Sequence, residues 1–103
     1  MIIYEVNLSI DADIYPEFQV WLKSHITEMV QFPGFIQASI LMPEKVISDK
    51  EKLTIQYQLE NRQALDHYFT EFAPIMREKG VTLFKNKFSA ERRVFEVKET
   101  IFK

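Results

Sequence analysis

Met1 Ile2 Ile3 Tyr4 Glu5 Val6 Asn7 Leu8 Ser9 Ile10 alternates apolar and polar side chains, with Ile2, Tyr4, Val6, Leu8 and Ile10 on one parity and Ile3, Glu5, Asn7 and Ser9 on the other. A period of two marks a half-buried β-strand. One face of this strand meets a core, and the other presents a carboxylate, an amide and a hydroxyl. The function of the chain turns on what that second face and the core beneath it enclose.

Working outward, Asp11 and Asp13 offer side-chain oxygens to cap a helix, and Pro16 suits a first turn, where its missing N–H costs nothing. Ile14, Phe18, Trp21, Leu22, His25, Ile26, Met29 and Val30 follow at three- and four-residue spacing, so they line one helix face. Pro33 Gly34 ends the helix as a turn. Residues 35 to 42 alternate again, with Ile36, Ala38, Ile40 and Met42 expected on the core side and Phe35, Gln37, Ser39 and Leu41 on the other. The charged stretch Pro43 to Lys52 reads as a long connection. Leu53, Ile55, Tyr57 and Leu59 then alternate with Thr54, Gln56, Gln58 and Glu60, giving a third strand with a second polar face.

Asn61 can cap a second helix, whose apolar stripe is Leu65, Tyr68, Phe69, Phe72, Ile75 and Met76, with His67 off it. Pro74 removes a backbone donor inside that pattern, so a kink or restart is expected near Ala73. Gly80 reads as the terminator, and Lys85 Asn86 Lys87 as a turn before a last strand over Phe88 to Lys98. That strand alternates poorly. Phe95 and Val97 favour its odd set as the core face, which places Arg92 on the polar one.

The order strand, helix, strand, strand, helix, strand gives an α+β fold: a ferredoxin-like βαββαβ plait, a four-stranded antiparallel sheet with two helices on one face. At 103 residues the expectation is one domain over residues 1–103, with a core that needs no disulfide or metal. Hydrophobic residues at 47% and charged residues at 27% sit in the ordinary globular range and suggest neither disorder nor a membrane span. The absence of cysteine rules out disulfides, thiolate zinc sites and a cysteine nucleophile. No signal peptide is read at the N-terminus, so the cytoplasm is the expected compartment. A net charge of −2 gives no general attraction to nucleic acid or anionic lipid, and neither is expected as a partner.

Two glycines, Gly34 and Gly80, cannot build a phosphate loop, a dinucleotide fingerprint or a nucleophile elbow. His25 and His67 fall on different helices without further clustered ligands, which argues against a dedicated metal site. An RNA-binding plait stacks bases on aromatics of its central strands, where this chain has Glu5, Asn7, Gln56 and Gln58. No cofactor is expected.

The opening Met1 to Val6, Trp21 and His25 with Ile26 and Met29, Gln56 Tyr57, the Ala73 Pro74 break and the closing Arg92 Arg93 Val94 Phe95 Glu96 Val97 together resemble an uncharacterised bacterial family, domain of unknown function 4286 (DUF4286). The resemblance spans almost the whole chain and implies a ferredoxin-like fold without an activity. More distantly the layout is similar to dimeric α/β-barrel proteins, which include cofactor-free quinone-forming monooxygenases and haem-degrading enzymes. The latter pair a first-strand asparagine with a tryptophan and a second-helix histidine. Asn7 and His67 occupy such places, but Trp21 is on the first helix, so that pattern is incomplete.

The candidate ligand-binding residues are Tyr4, Asn7, Trp21, His25, Tyr57 and Arg92, with His25 the candidate catalytic group. A histidine in such a stripe is most often a hydrogen-bonded structural residue, and Trp21 one turn before it is most often core. The polar sheet face admits three readings: solvated, a wet dimer interface, or a lined pocket. The leading expectation is a non-enzymatic cytoplasmic module that forms a homodimer through the open sheet faces and the tail with Ile101 and Phe102, with room for a small organic ligand. The alternative is a cofactor-independent monooxygenase or isomerase with His25 as base and Asn7, Tyr57 or Arg92 orienting a substrate oxyanion.

Overall fold

The alternation of β1 (Ile2–Ile10) is the axis of the sheet in the computed structural model, which describes residues 1–103. A 3-10 turn (Ala12–Ile14) leads into α1 (Tyr15–Met29), and β2 (Phe35–Leu41), β3 (Glu51–Leu59), α2 (Arg62–Glu71), α3 (Ala73–Phe84) and β4 (Phe88–Glu96) follow. The strand order is β2-β3-β1-β4 and every neighbouring pair is antiparallel. Tyr4, Leu8 and Ile10 of β1 and Leu53, Ile55, Tyr57 and Leu59 of β3 bury against Phe18, Leu22, Ile26 and Met29 of α1, Leu65 and Tyr68 of α2, and Met76 of α3. All the helices therefore cover one face of the sheet. None is long and apolar enough to cross a membrane.

Local chemistry sets most boundaries. The Asn61 side chain accepts a hydrogen bond from the Ala64 N–H at 2.9 Å and starts α2. Pro74 lies in the first turn of α3, so the second helical stretch restarts at Ala73 as two helices. Asp11 and Asp13 do not cap α1; their carboxylates pair with Lys50 and Lys87 instead. Pro16 holds the first turn of α1 without a side-chain cap.

Four further expectations are corrected. Gly80 does not end a helix. It is buried inside α3, which continues to Phe84 and stops at Lys85, where φ is +54°. Phe35 faces the helices, because a register irregularity between Phe35 and Gln37 turns it toward Phe32, Tyr57 and Tyr68. Ile36 and Ile40 stay exposed because β2 is the outermost strand of the sheet, Met42 lies exposed just past its end, and Ile75 of α3 is exposed as well. Finally, β4 pairs Tyr4 with Val94 and Val6 with Arg92, so Arg92 lies on the helix side and Arg93 on the open face. The odd set of β4 does not face the core: pairing with the strongly patterned β1, rather than its own hydropathy, sets its parity.

Candidate functional site

Between the β1–β4 half of the sheet and the helices α1 and α3, side chains leave a cavity of about 310 Å³. Its walls are Tyr4, Val6 and Leu8 of β1, Ile55 and Tyr57 of β3, Phe88, Ala90 and Arg92 of β4, Trp21, Leu22 and His25 of α1, Tyr68 of α2, and Met76, Arg77 and Gly80 of α3. Of the 19 lining residues 14 are hydrophobic, and none is Asp or Glu. The volume falls at the lower edge of small-molecule pockets, about 300–1,000 Å³.

One end of the cavity is built from tyrosines. Tyr4 stacks on Tyr57 at 5.8 Å between ring centroids and tilts against Tyr68 at 5.9 Å. Arg77 donates to the Tyr4 hydroxyl in a long hydrogen bond of 3.4 Å. The Tyr57 and Tyr68 hydroxyls hydrogen-bond no protein group. They are not sealed in packing either, since no fully buried polar side-chain atom of the molecule lacks a partner. A hydroxyl in an apolar wall with no partner is held ready for water or a ligand. Burial pushes both phenol pKa values well up, so both are O–H donors at neutral pH.

The other end is an aromatic wall. His25 stacks on Trp21 with ring centroids 4.6 Å apart, and Phe18 packs on Trp21, Phe84 and Phe88. Gly80 makes this crossing possible: a Cβ there would lie 3.0 Å from Trp21 Cη2 and 3.1 Å from Phe88 Cζ. His25 makes no side-chain hydrogen bond, so the usual structural role for such a histidine is not what holds it. Burial lowers its pKa, Glu28 opposes that and Lys79 adds to it, so the imidazole is neutral at neutral pH and can accept a proton.

The opposite face of the sheet carries a closed polar network. Glu5 is the one buried charged residue, 6% exposed. Its carboxylate accepts from Asn7 Nδ2 at 2.9 Å, Gln56 Nε2 at 3.0 Å, and Arg93 through Nε at 3.2 Å and a terminal guanidinium nitrogen at 2.9 Å. Thr54 donates onward to Asn7 Oδ1 at 2.8 Å. The bonds from Asn7, Arg93 and Gln56 together outweigh desolvation and hold the Glu5 pKa down to about 2. Both carboxylate oxygens of Glu5 and the Asn7 Oδ1 are occupied within the cluster, which suits a structural network.

Of the residues expected at a site, the structure gathers Tyr4, Trp21, His25, Tyr57 and Arg92 around the cavity. Asn7 is separated from them by the thickness of the sheet and is committed to Glu5 and Thr54. It cannot orient an oxyanion formed beside His25. His67 is exposed on α2, and its ring lies edge-on to Phe72. Arg77 and Tyr68 also line the cavity, and sequence reading passed over both. In the sequence Tyr68 is one member of an apolar stripe, and Arg77 sits at a solvent-facing position of α3 from which a long side chain reaches inward.

A family model for a domain of unknown function (DUF4286) matches residues 1–98. No curated protein matches the chain significantly. Among solved structures, a candidate antibiotic biosynthesis monooxygenase from Deinococcus radiodurans is similar over 100% of this chain and 98% of its own, at 16% identity and a TM-score of 0.77. SnoaB, a cofactor-independent oxygenase from Streptomyces nogalater, covers 99% of this chain and 98% of its own at 15% identity and TM-score 0.70. A conserved protein from Methanosarcina mazei Go1 covers 95% and 94% at 19% identity and TM-score 0.70. At such identities these likenesses establish the fold alone.

Proposed function

This chain belongs to the DUF4286 family, and from that premise we propose that it is a cytoplasmic homodimeric module enclosing a small, largely apolar organic ligand between its helices and its sheet. The observation that carries the proposal is the cavity of about 310 Å³ with unpartnered tyrosine hydroxyls in an apolar wall. Dimerisation is supported by the open sheet face, whose edges expose Leu41 and Phe95, and by Ile101 and Phe102, which are 84% and 85% exposed. Apolar side chains at that exposure bury readily against a second copy. Native mass spectrometry of freshly purified protein tests both halves. A dimer releasing one small molecule per subunit on denaturation is expected, with the extra mass lost in Gly80→Leu, whose side chain fills the Trp21 end. A monomer at micromolar concentration would end the facing-sheet reading, and an empty protein would count against the ligand.

A second reading is favoured by one specific observation, the neutral, unbonded His25 in the cavity wall. In it the protein is a cofactor-independent monooxygenase or isomerase, as the likeness to SnoaB suggests. His25 takes the proton of an acidic C–H or phenolic O–H, and Tyr57 or Arg92 faces the oxyanion that forms. Binding retained with turnover abolished in His25→Asn is the expected signature.

A further inference from the structure

The cavity has a charge asymmetry that its apolar lining does not require. Arg77 from α3 and Arg92 from β4 both border it, and no carboxylate does. Neither guanidinium is in a salt bridge, whereas the other two arginines of the chain, Arg62 and Arg93, each hold a carboxylate. In a chain of net charge −2, acidic partners are not scarce. Both arginines also act on the tyrosine end in particular: each favours the ionised form of Tyr68 against its burial, and Arg92 does so at Tyr57. Two cations on different elements thus converge on one mouth of an apolar chamber, beside donor hydroxyls with no partner.

Resting on the ligand-binding reading above, we infer that the cavity takes an organic anion: a compact carboxylate or equivalent oxyanion held between Arg77 and Arg92 at the tyrosine end, with a flat apolar body extending to Trp21 and His25. The arginines supply the forked donors a carboxylate matches, and Tyr57 or Tyr68 adds an O–H donor. The Trp21–His25 stack and Phe88 present the surfaces on which a planar ring packs. A cationic ligand is disfavoured at this mouth, and a neutral hydrocarbon leaves the arginines and hydroxyls unused.

The test compares 2-naphthoate with 2-naphthamide, near-isosteric probes that differ in charge, titrated into the intact protein by NMR. Trp21 is the single tryptophan, so its indole N–H gives one assigned reporter at the cavity wall. The acid is expected to bind at least about tenfold more tightly than the amide, the size of one charge-assisted hydrogen bond. Arg77→Gln and Arg92→Gln should each reduce that preference toward unity while amide affinity and the thermal midpoint stay near wild type. Both arginines are exposed in the structure, so neither substitution threatens the fold. Equal binding of acid and amide, or a preference that survives both substitutions, overturns the anion assignment and leaves the pocket standing. No response of Trp21 to either probe overturns the pocket and the anion assignment together.

Discussion

Gly34→Ala should lower unfolding stability by about 3–5 kcal/mol, from two terms that can be separated. Gly34 sits at φ +83° in the turn between α1 and β2, a conformation that costs an alanine about 1–2 kcal/mol. A Cβ there would also lie 2.3 Å from Ala64 Cβ, well inside contact distance. The backbone cannot simply back away, because the Gly34 carbonyl accepts from the Glu60 N–H at 2.9 Å and the Ala64 N–H is tied to Asn61. Adding Ala64→Gly removes the clash and leaves the φ strain. The double variant is therefore expected to recover about 1 kcal/mol or more over Gly34→Ala alone, despite glycine's cost in a helix of about 1 kcal/mol. Urea unfolding midpoints of the three proteins check this. A loss below about 1 kcal/mol in the single variant, or no recovery in the double, would mean that the two Cβ positions are not opposed.

Glu5→Gln should cost about 2 kcal/mol at pH 7 and flatten the acid limb of the stability profile. The replacement amide keeps one acceptor oxygen and turns its NH₂ either toward Gln56 or toward Asn7 and Arg93, which donate to opposite oxygens of the native carboxylate. The cost stays below that of breaking a fully buried ion pair because the Arg93 side chain is 65% exposed and rehydrates. With the folded pKa near 2 and the ordinary value 4.5, Glu5 contributes stability that is fully present above pH 4.5 and is lost as pH falls toward 2. Wild type should consequently lose its advantage over Glu5→Gln in that window. Chemical unfolding of both proteins at pH 7 and pH 3 measures the difference, and parallel pH profiles would show that Glu5 is not the group responsible.

The same network explains which of the expected residues belong to the cavity. β1 alternates so cleanly that Tyr4 and Asn7, three residues apart, are assigned to opposite faces by parity alone. In β4 and just past its end the signal is weak in both directions, since Val94, Phe95 and Val97 spread apolar character over both parities, and all of them are exposed in the structure. Arg93 then projects beside Phe95, its guanidinium carbon 5.0 Å from the ring centroid, and reaches Glu5. Arg92 is left to the cavity mouth. Glycine often ends helices, and in the sequence Gly80 reads as a stop, but its position is set by the close approach of α3 to Trp21.

Periodicity and local residue chemistry determined the element order, the antiparallel plait, the cap at Asn61, the break at Ala73 and the buried set of β1, α1 and β3, because each depends on side chains a few residues apart along one chain. The register of β4 against β1, the inward turn of Phe35 and the depth of Gly80 were decided only by tertiary structure. So was the meeting of Arg77, Arg92, Tyr57 and Tyr68 at one end of a cavity. These residues come from four elements, and the parity of an edge strand, a bulge and the stand-off of two helices are fixed by packing across the sheet. No local pattern encodes the space that packing leaves empty.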